Sequence, residues 1–227
     1  MDFSTVKAFV FDMDGLLLDT ERLCLNSFMK ACLRYGIDER VSRPLFINVI
    51  GNNAVTSNAY FTREFAALGV SFDELKHEWD EDYHGIITNQ PIPLMPGVEA
   101  LLECLHENNQ PMGVATSTRR EMAIHKLQSV GVYDYFQFVV GGDEVANGKP
   151  NPEIYLKAVG IHGERPEDCL AFEDSTNGVL SAIGAGMHVV QVPNLVPVTD
   201  ELRAHGHHIV SSLSDVVPHF SVSNTLS

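Results

Sequence analysis

Basic residues are scarce in this 227-residue sequence, where 15 Lys and Arg stand against 30 Asp and Glu to give a formal net charge of −15. Without a cationic face to attract a phosphodiester backbone or an anionic bilayer, no nucleic acid and no membrane are expected as partners. The four cysteines, Cys24, Cys32, Cys104 and Cys169, form no CxxC pair and no metal-finger spacing. They are expected to be reduced and mostly buried, which suits a cytoplasmic protein. Also missing are a basic n-region with a long apolar h-region, and any apolar run of membrane-spanning length, so neither a signal peptide nor a membrane span is expected. There is no internal repeat and no low-complexity tract. What is present, 44% hydrophobic and 20% charged residues, is enough to build a globular core.

Five short β-branched or aromatic runs end in small or acidic residues: Val6 to Asp12, Met112 to Thr116, Phe136 to Val140, Cys169 to Asp174, and His188 to Val192. They read as buried strands. Helical spacing fills the intervals, as in Val98, Leu101, Leu102 and Leu105. Strand and helix therefore alternate from about residue 93 to 192, which predicts βαβ units around a parallel sheet. The stretch from Leu16 to about Pro91 breaks the alternation with three helical patterns and no strand. These are Leu25 to Cys32, Val55 to Phe65, and Phe72 to Trp79. A small helical insert after the first strand follows, with the proline-punctuated Pro91 to Gly97 segment as the return linker.

The chemistry concentrates at strand ends. Asp12 and Asp14 stand at i and i+2 on an extended segment, so both carboxylates face one side just before the chain turns at Gly15. Ligands in open α/β sheets bind outside the carboxyl ends of the strands. The run at Cys169 ends in Glu173 and Asp174, so four carboxylates meet in one crevice if these two strands are neighbours. Such a group repels itself unless a cation is bound, and hard oxygen donors suit Mg²⁺. Thr116, Ser117 and Thr118 offer hydroxyls and turn N–H groups to a phosphate, and Gly148-Lys149-Pro150 offers an ammonium.

In order, Asp12-Met13-Asp14-Gly15 with Asp19, the strand ending in Thr116, Gly148-Lys149-Pro150-Asn151-Pro152, and Glu173-Asp174 resemble the four motifs of the haloacid dehalogenase superfamily. The likeness covers essentially the whole chain. It implies a Rossmann-like core, residues 1–15 and 93–227, with an α-helical cap domain, residues 16–92, inserted after the first strand. Carried onto these positions, the resemblance makes Asp12 the nucleophile and Asp14 the acid and base. Thr116, Ser117 and Lys149 hold the phosphoryl group. The metal set is Asp12, Asp14 through its carbonyl, Asp174, and Glu173 either directly or from behind. The expected activity is Mg²⁺-dependent hydrolysis of a small phosphorylated metabolite by a monomer or weak homo-oligomer. Glu21, Asn52 and Asn53, with Asn48 and Asn58, are candidates to read a polar, sugar-like leaving group. The alternative is a phosphomutase of the β-phosphoglucomutase type. Members of that branch carry an arginine after the cap glycine, where this sequence has Gly51-Asn52-Asn53, leaving Arg63 or Lys76 as substitutes.

Other readings are weaker. Asp19 and Thr20 precede a helical run and are expected to cap it. The His205-Gly206-His207-His208 run reads as a solvated loop. Residues Asp12 to Asp19 fail the calcium-loop spacing, and Gly148-Lys149-Pro150 lacks the first glycine and the Ser or Thr of a P-loop. Trp79 and the phenylalanines of the insert read as core.

Overall fold

The computed structural model describes residues 3, 5–50 and 54–220. The chain forms two compact units, Met1–Leu18 with Pro93–Ser227, and Asp19–Ile92. The first is built on a six-stranded sheet of β1 (Ala8–Phe11), β2 (Met112–Ala115), β3 (Phe138–Val140), β4 (Cys169–Glu173), β5 (His188–Gln191) and β6 (His208–Ile209). All strand pairs are parallel, in the order β3-β2-β1-β4-β5-β6. Every residue of β1, β2 and β4 is buried, because helices cover both faces. This is why those strands read as continuous apolar runs without alternation.

The order reverses direction at β1, with β2 and β3 to one side and β4 to β6 to the other. That reversal makes the β1/β4 boundary the topological switch point. The register Phe11↔Phe172, with stacked rings 4.8 Å apart, puts Asp12 and Glu173 at the same level. The adjacency on which the acidic crevice depended is therefore present.

The helices of this unit are α5 (Val98–Glu107), α6 (Arg120–Ser129), α7 (Glu153–His162), α8 (Thr176–Gly184) and the short α9 (Asp200–Arg203). The Asp19–Ile92 unit holds α1 (Thr20–Arg34), α2 (Glu39–Ile47), α3 (Ala54–Ala67) and α4 (Phe72–Asn89), the helical insert after β1. Its core is aromatic. Phe28 lies 5.0 Å from the Trp79 ring and 5.1 Å from Phe61, and Phe61 stacks on Phe72 at 5.0 Å. The Trp79 indole N–H donates to the Cys24 carbonyl at 3.2 Å. Helix α2 is absent from the sequence reading, because it is only nine residues long and Pro44 lies inside it. The Asp38 side chain starts it by accepting from the Arg40 N–H. Among the described residues no helix is long and apolar enough to cross a membrane.

His162 on α7 gives a pH-dependent contribution to stability. Its Nε2 lies 3.3 Å from the Phe9 carbonyl and its ring packs edge-on against Phe138. Burial lowers its pKa below the usual 6.5. The unfolded chain therefore binds the proton more readily, and this contribution is intact above about pH 6.5 and lost as the pH falls below it. Urea unfolding at pH 7.5 and 5.5 should show His162→Gln gaining on wild type at the lower pH. A difference independent of pH would contradict this.

Candidate active site

Asp12 follows β1 directly, and its N–H donates to the Phe172 carbonyl at 3.0 Å, which pins it beside the end of β4. There Asp12, Glu173 and Asp174 are all buried, with ligand oxygens within 4.8 Å of one another. Lys149, in the loop before α7, enters with a side chain only 6% exposed, and its Nζ donates to Asp12 Oδ1 and Glu173 Oε1 at 2.6 Å each. It also donates to the Ala115 carbonyl at the end of β2, at 3.0 Å. Burial alone would lower the Lys149 ammonium, yet the charges of Asp12 and Glu173 outweigh it and hold the pKa above its usual value. Asp12 is pushed up to about 8 by burial, with Glu173 and Asp14 adding to the rise and Lys149 opposing it. One lysine thus faces more carboxylate charge than it can neutralise.

Glu173 is fully buried and thoroughly engaged. Its Oε1 accepts from Lys149 and from the Tyr155 hydroxyl at 2.7 Å, and its Oε2 accepts from the Asp174 N–H, the Ser175 N–H and the Ser175 hydroxyl at 3.1 to 3.3 Å. Gly178, one turn into α8, leaves the space that the Glu173 carboxylate fills. Behind Asp174, Gln191 donates to its carbonyl at 3.1 Å and is itself 2.8 Å from His207 Nε2. Of the histidine run, His205 and His208 are exposed as expected, whereas half-buried His207 buttresses β5.

Asp14, two residues beyond Asp12, makes its own set of contacts. Its Oδ2 accepts from Thr118 Oγ1 at 2.6 Å and from Thr116 Oγ1 at 3.4 Å, and its Oδ1 accepts from Lys126 Nζ at 2.7 Å. Thr116 is buried at the end of β2 and Ser117 beside it is exposed. Of the predicted residues, Asp12, Lys149, Glu173 and Asp174 share one set of contacts and Asp14 and Thr116 another, the two meeting where Lys149 donates to the carbonyl of Ala115, next to Thr116 in the chain. Ser117 lies on the same connection.

The remaining predictions fall in the helical unit. Glu21 lies in the first turn of α1, while Asn52 and Asn53 lie outside the described residues. Exposed Asn48 donates to the Tyr60 hydroxyl. Arg63 pairs with Glu64 and Lys76 with Asp80. Asp19 occupies the N-cap position of α1 but makes no side-chain cap, pairing instead with Arg22 at 2.8 Å. Sequence reasoning missed Tyr155, Lys126 and Gly178, and it offered to a phosphate the Thr118 hydroxyl that here donates to Asp14. The one available signal was a lysine among the buried positions of α6, where Ala123 and Leu127 are core residues.

A parallel α/β sheet with acids, a lysine and hydroxyls converging at its switch point is the frame of a phosphoryl-transfer enzyme. Residues 9–192 match the family model of the haloacid dehalogenase-like hydrolases. A Drosophila melanogaster protein described as a probable pseudouridine-5'-phosphatase is 37% identical over 92% of this chain and 90% of its own. The phosphorylated carbohydrates phosphatase of Thermotoga maritima is 32% identical over 80% of this chain and 82% of its own. The crystal structure of a Thermotoga maritima protein described as a putative beta-phosphoglucomutase superposes with a TM-score of 0.77 at 28% identity over 94% and 97% of the two chains. The chain belongs to the haloacid dehalogenase-like hydrolases, in the capped branch that holds phosphatases and β-phosphoglucomutases, and it is a phosphatase of that family.

Proposed function

We propose that the protein hydrolyses a small, polar phosphate monoester, of the sugar phosphate kind, through a phosphorylated Asp12. The observation that carries this reading is the convergence of Asp12, Asp14, Thr116, Lys149 and Asp174 at the carboxyl ends of β1, β2 and β4. An Asp12 carboxylate oxygen attacks phosphorus, the bond from phosphorus to the leaving oxygen breaks, and Asp14 gives that oxygen a proton. Water then attacks the aspartyl phosphate and loses a proton to Asp14. Inorganic phosphate leaves, and both carboxyl groups return to their starting states. Lys149 faces the nonbridging oxygens as charge shifts onto them, while Thr116 fixes their orientation.

The donor set fits Mg²⁺, because three buried carboxylates offer only hard oxygen and carry charge that Lys149 leaves uncompensated. Asp12, Asp174 and the Asp14 carbonyl would hold the ion. Glu173, with both oxygens engaged by protein donors, serves as the anchor of Lys149 and of the turn after β4. When bound, the ion supplies charge neutralisation at the phosphoryl group.

Substrate class rests on the relatives named for pseudouridine phosphate and phosphorylated carbohydrates. Inorganic phosphate release over a panel of sugar phosphates, nucleotides and small acid phosphates tests it. Release concentrated on hydroxylated substrates is expected, lost with EDTA and restored by Mg²⁺. Activity undiminished by EDTA would remove the metal from the reading. Isomer interconversion without phosphate release would replace hydrolysis with the phosphomutase.

A further inference from the structure

We infer that Lys126, together with Thr118, is a positioning residue for the acid and base Asp14, an inference that rests on the phosphatase reading above. The Lys126 side chain is 4% exposed and its Nζ lies 2.7 Å from Asp14 Oδ1. Lysine is seldom buried unless paired, because an ammonium taken out of water loses its hydration. On α6 it sits among core positions with Ala123 and Leu127, where a methionine would pack with no such cost. The lysine is therefore explained by what it holds.

It holds one end of a carboxylate whose other end is held by Thr118 Oγ1 at 2.6 Å. A carboxylate gripped at both oxygens cannot turn about its Cβ–Cγ bond, so its plane is set by the connection that runs from β2 into α6. That connection also carries Thr116, whose Oγ1 accepts from the Thr118 N–H at 3.1 Å. The phosphate-facing hydroxyl and the proton-transfer group are thus indexed to one rigid segment. Asp14 remains 27% exposed, which leaves it open to leaving group and water from the solvent side. Lys126 touches neither substrate nor phosphorus and acts only through Asp14.

The experiment compares kcat with kcat/KM for p-nitrophenyl phosphate and Mg²⁺ in wild type, Lys126→Met, Lys126→Arg and Thr118→Val. Nitrophenolate leaves without a proton, so kcat/KM reports phosphorylation of Asp12 with little need of Asp14. Turnover needs Asp14 to deprotonate water. Lys126→Met is expected to lower kcat about 100-fold and kcat/KM less than about 5-fold, with a stoichiometric nitrophenolate burst. Lys126→Arg should recover part of kcat.

Thr118→Val, which leaves the lysine in place, should show the same split at about 10-fold and serves if Lys126→Met fails to fold. Loss of kcat and kcat/KM in equal proportion, or no loss in the variants that fold, overturns the inference alone. Wild type that releases no nitrophenolate overturns the phosphatase reading and the inference with it.

Discussion

Asp12→Asn is expected to abolish turnover while making the metal-free protein more stable than wild type. The loss of the attacking oxygen should lower kcat by at least about 10⁴-fold, the scale seen when a covalent nucleophile is removed. The gain in stability follows from the charge balance. Lys149 Nζ is shared between Asp12 and Glu173 at 2.6 Å each, and Asn removes one carboxylate charge from the pocket and leaves the ammonium paired with Glu173.

Burial pushes the Asp12 carboxyl up to about 8, against about 3.9 in an unfolded chain. A carboxyl whose folded pKa is raised favours the folded state fully below the unfolded value and loses that advantage as the pH rises through the folded one. At pH 7 wild type has lost most of it, and Asn does not titrate. The variant should gain at least about 1 kcal/mol, or roughly 2–4 °C in Tm for a chain of this size. Added Mg²⁺ should reverse the order, because a cation bound only by the folded wild-type pocket stabilises that state by mass action. Melting curves in EDTA and in Mg²⁺ test both halves. A lower Tm for Asp12→Asn in EDTA would contradict the charge argument, and retained turnover would remove Asp12 as the nucleophile.

The part of this site that lies on strand ends was legible in the sequence, because parallel strands buried on both faces stand out as apolar runs and their terminal acids are conspicuous against them. Asp12, Thr116, Glu173 and Asp174 all follow or end such runs. The pairing of β1 with β4 was conditional on sheet order, which no local pattern encodes, and the structure supplied it. The groups that hold these residues in place lie on helices. Tyr155 and Lys126 occupy positions that a helical period assigns to the core, and nothing local distinguishes a tyrosine that donates to Glu173 from one that merely packs. Asp19 misled for a related reason, since an acid before a helix suits both a cap and an i,i+3 pair, and Arg22 decided for the pair. Pro44 hid α2, because a proline outside the first turn argues against a helix that tertiary packing nevertheless forms.

Gly178→Ala carries this point into a measurement, since by local propensity it should help and by site geometry it should do severe damage. Replacing glycine inside a helix by alanine is ordinarily worth about 0.5–1 kcal/mol in favour of the fold. At Gly178 the new Cβ would fall on the carboxylate carbon of Glu173, well inside van der Waals contact. Glu173 has no free direction in which to yield. Its two oxygens are held by Lys149, Tyr155, Ser175 and the Asp174 N–H. Displacing it leaves the buried Tyr155 hydroxyl and one side of a buried ammonium without their acceptor, at a cost of about 3–5 kcal/mol.

The steric term wins, and the net change should be a destabilisation of about 2–4 kcal/mol. Turnover should fall at least about 100-fold in the molecules that remain folded, because Lys149 shifts with its anchor. Gly160→Ala is the control, at an exposed position of α7 where the added Cβ meets nothing within 4 Å. It should stabilise by about 0.5–1 kcal/mol and leave turnover unchanged. Urea unfolding and phosphate release on the two variants separate the terms. Gly178→Ala behaving like Gly160→Ala would mean that the turn after β4 relaxes freely, and that Glu173 does not fix Lys149.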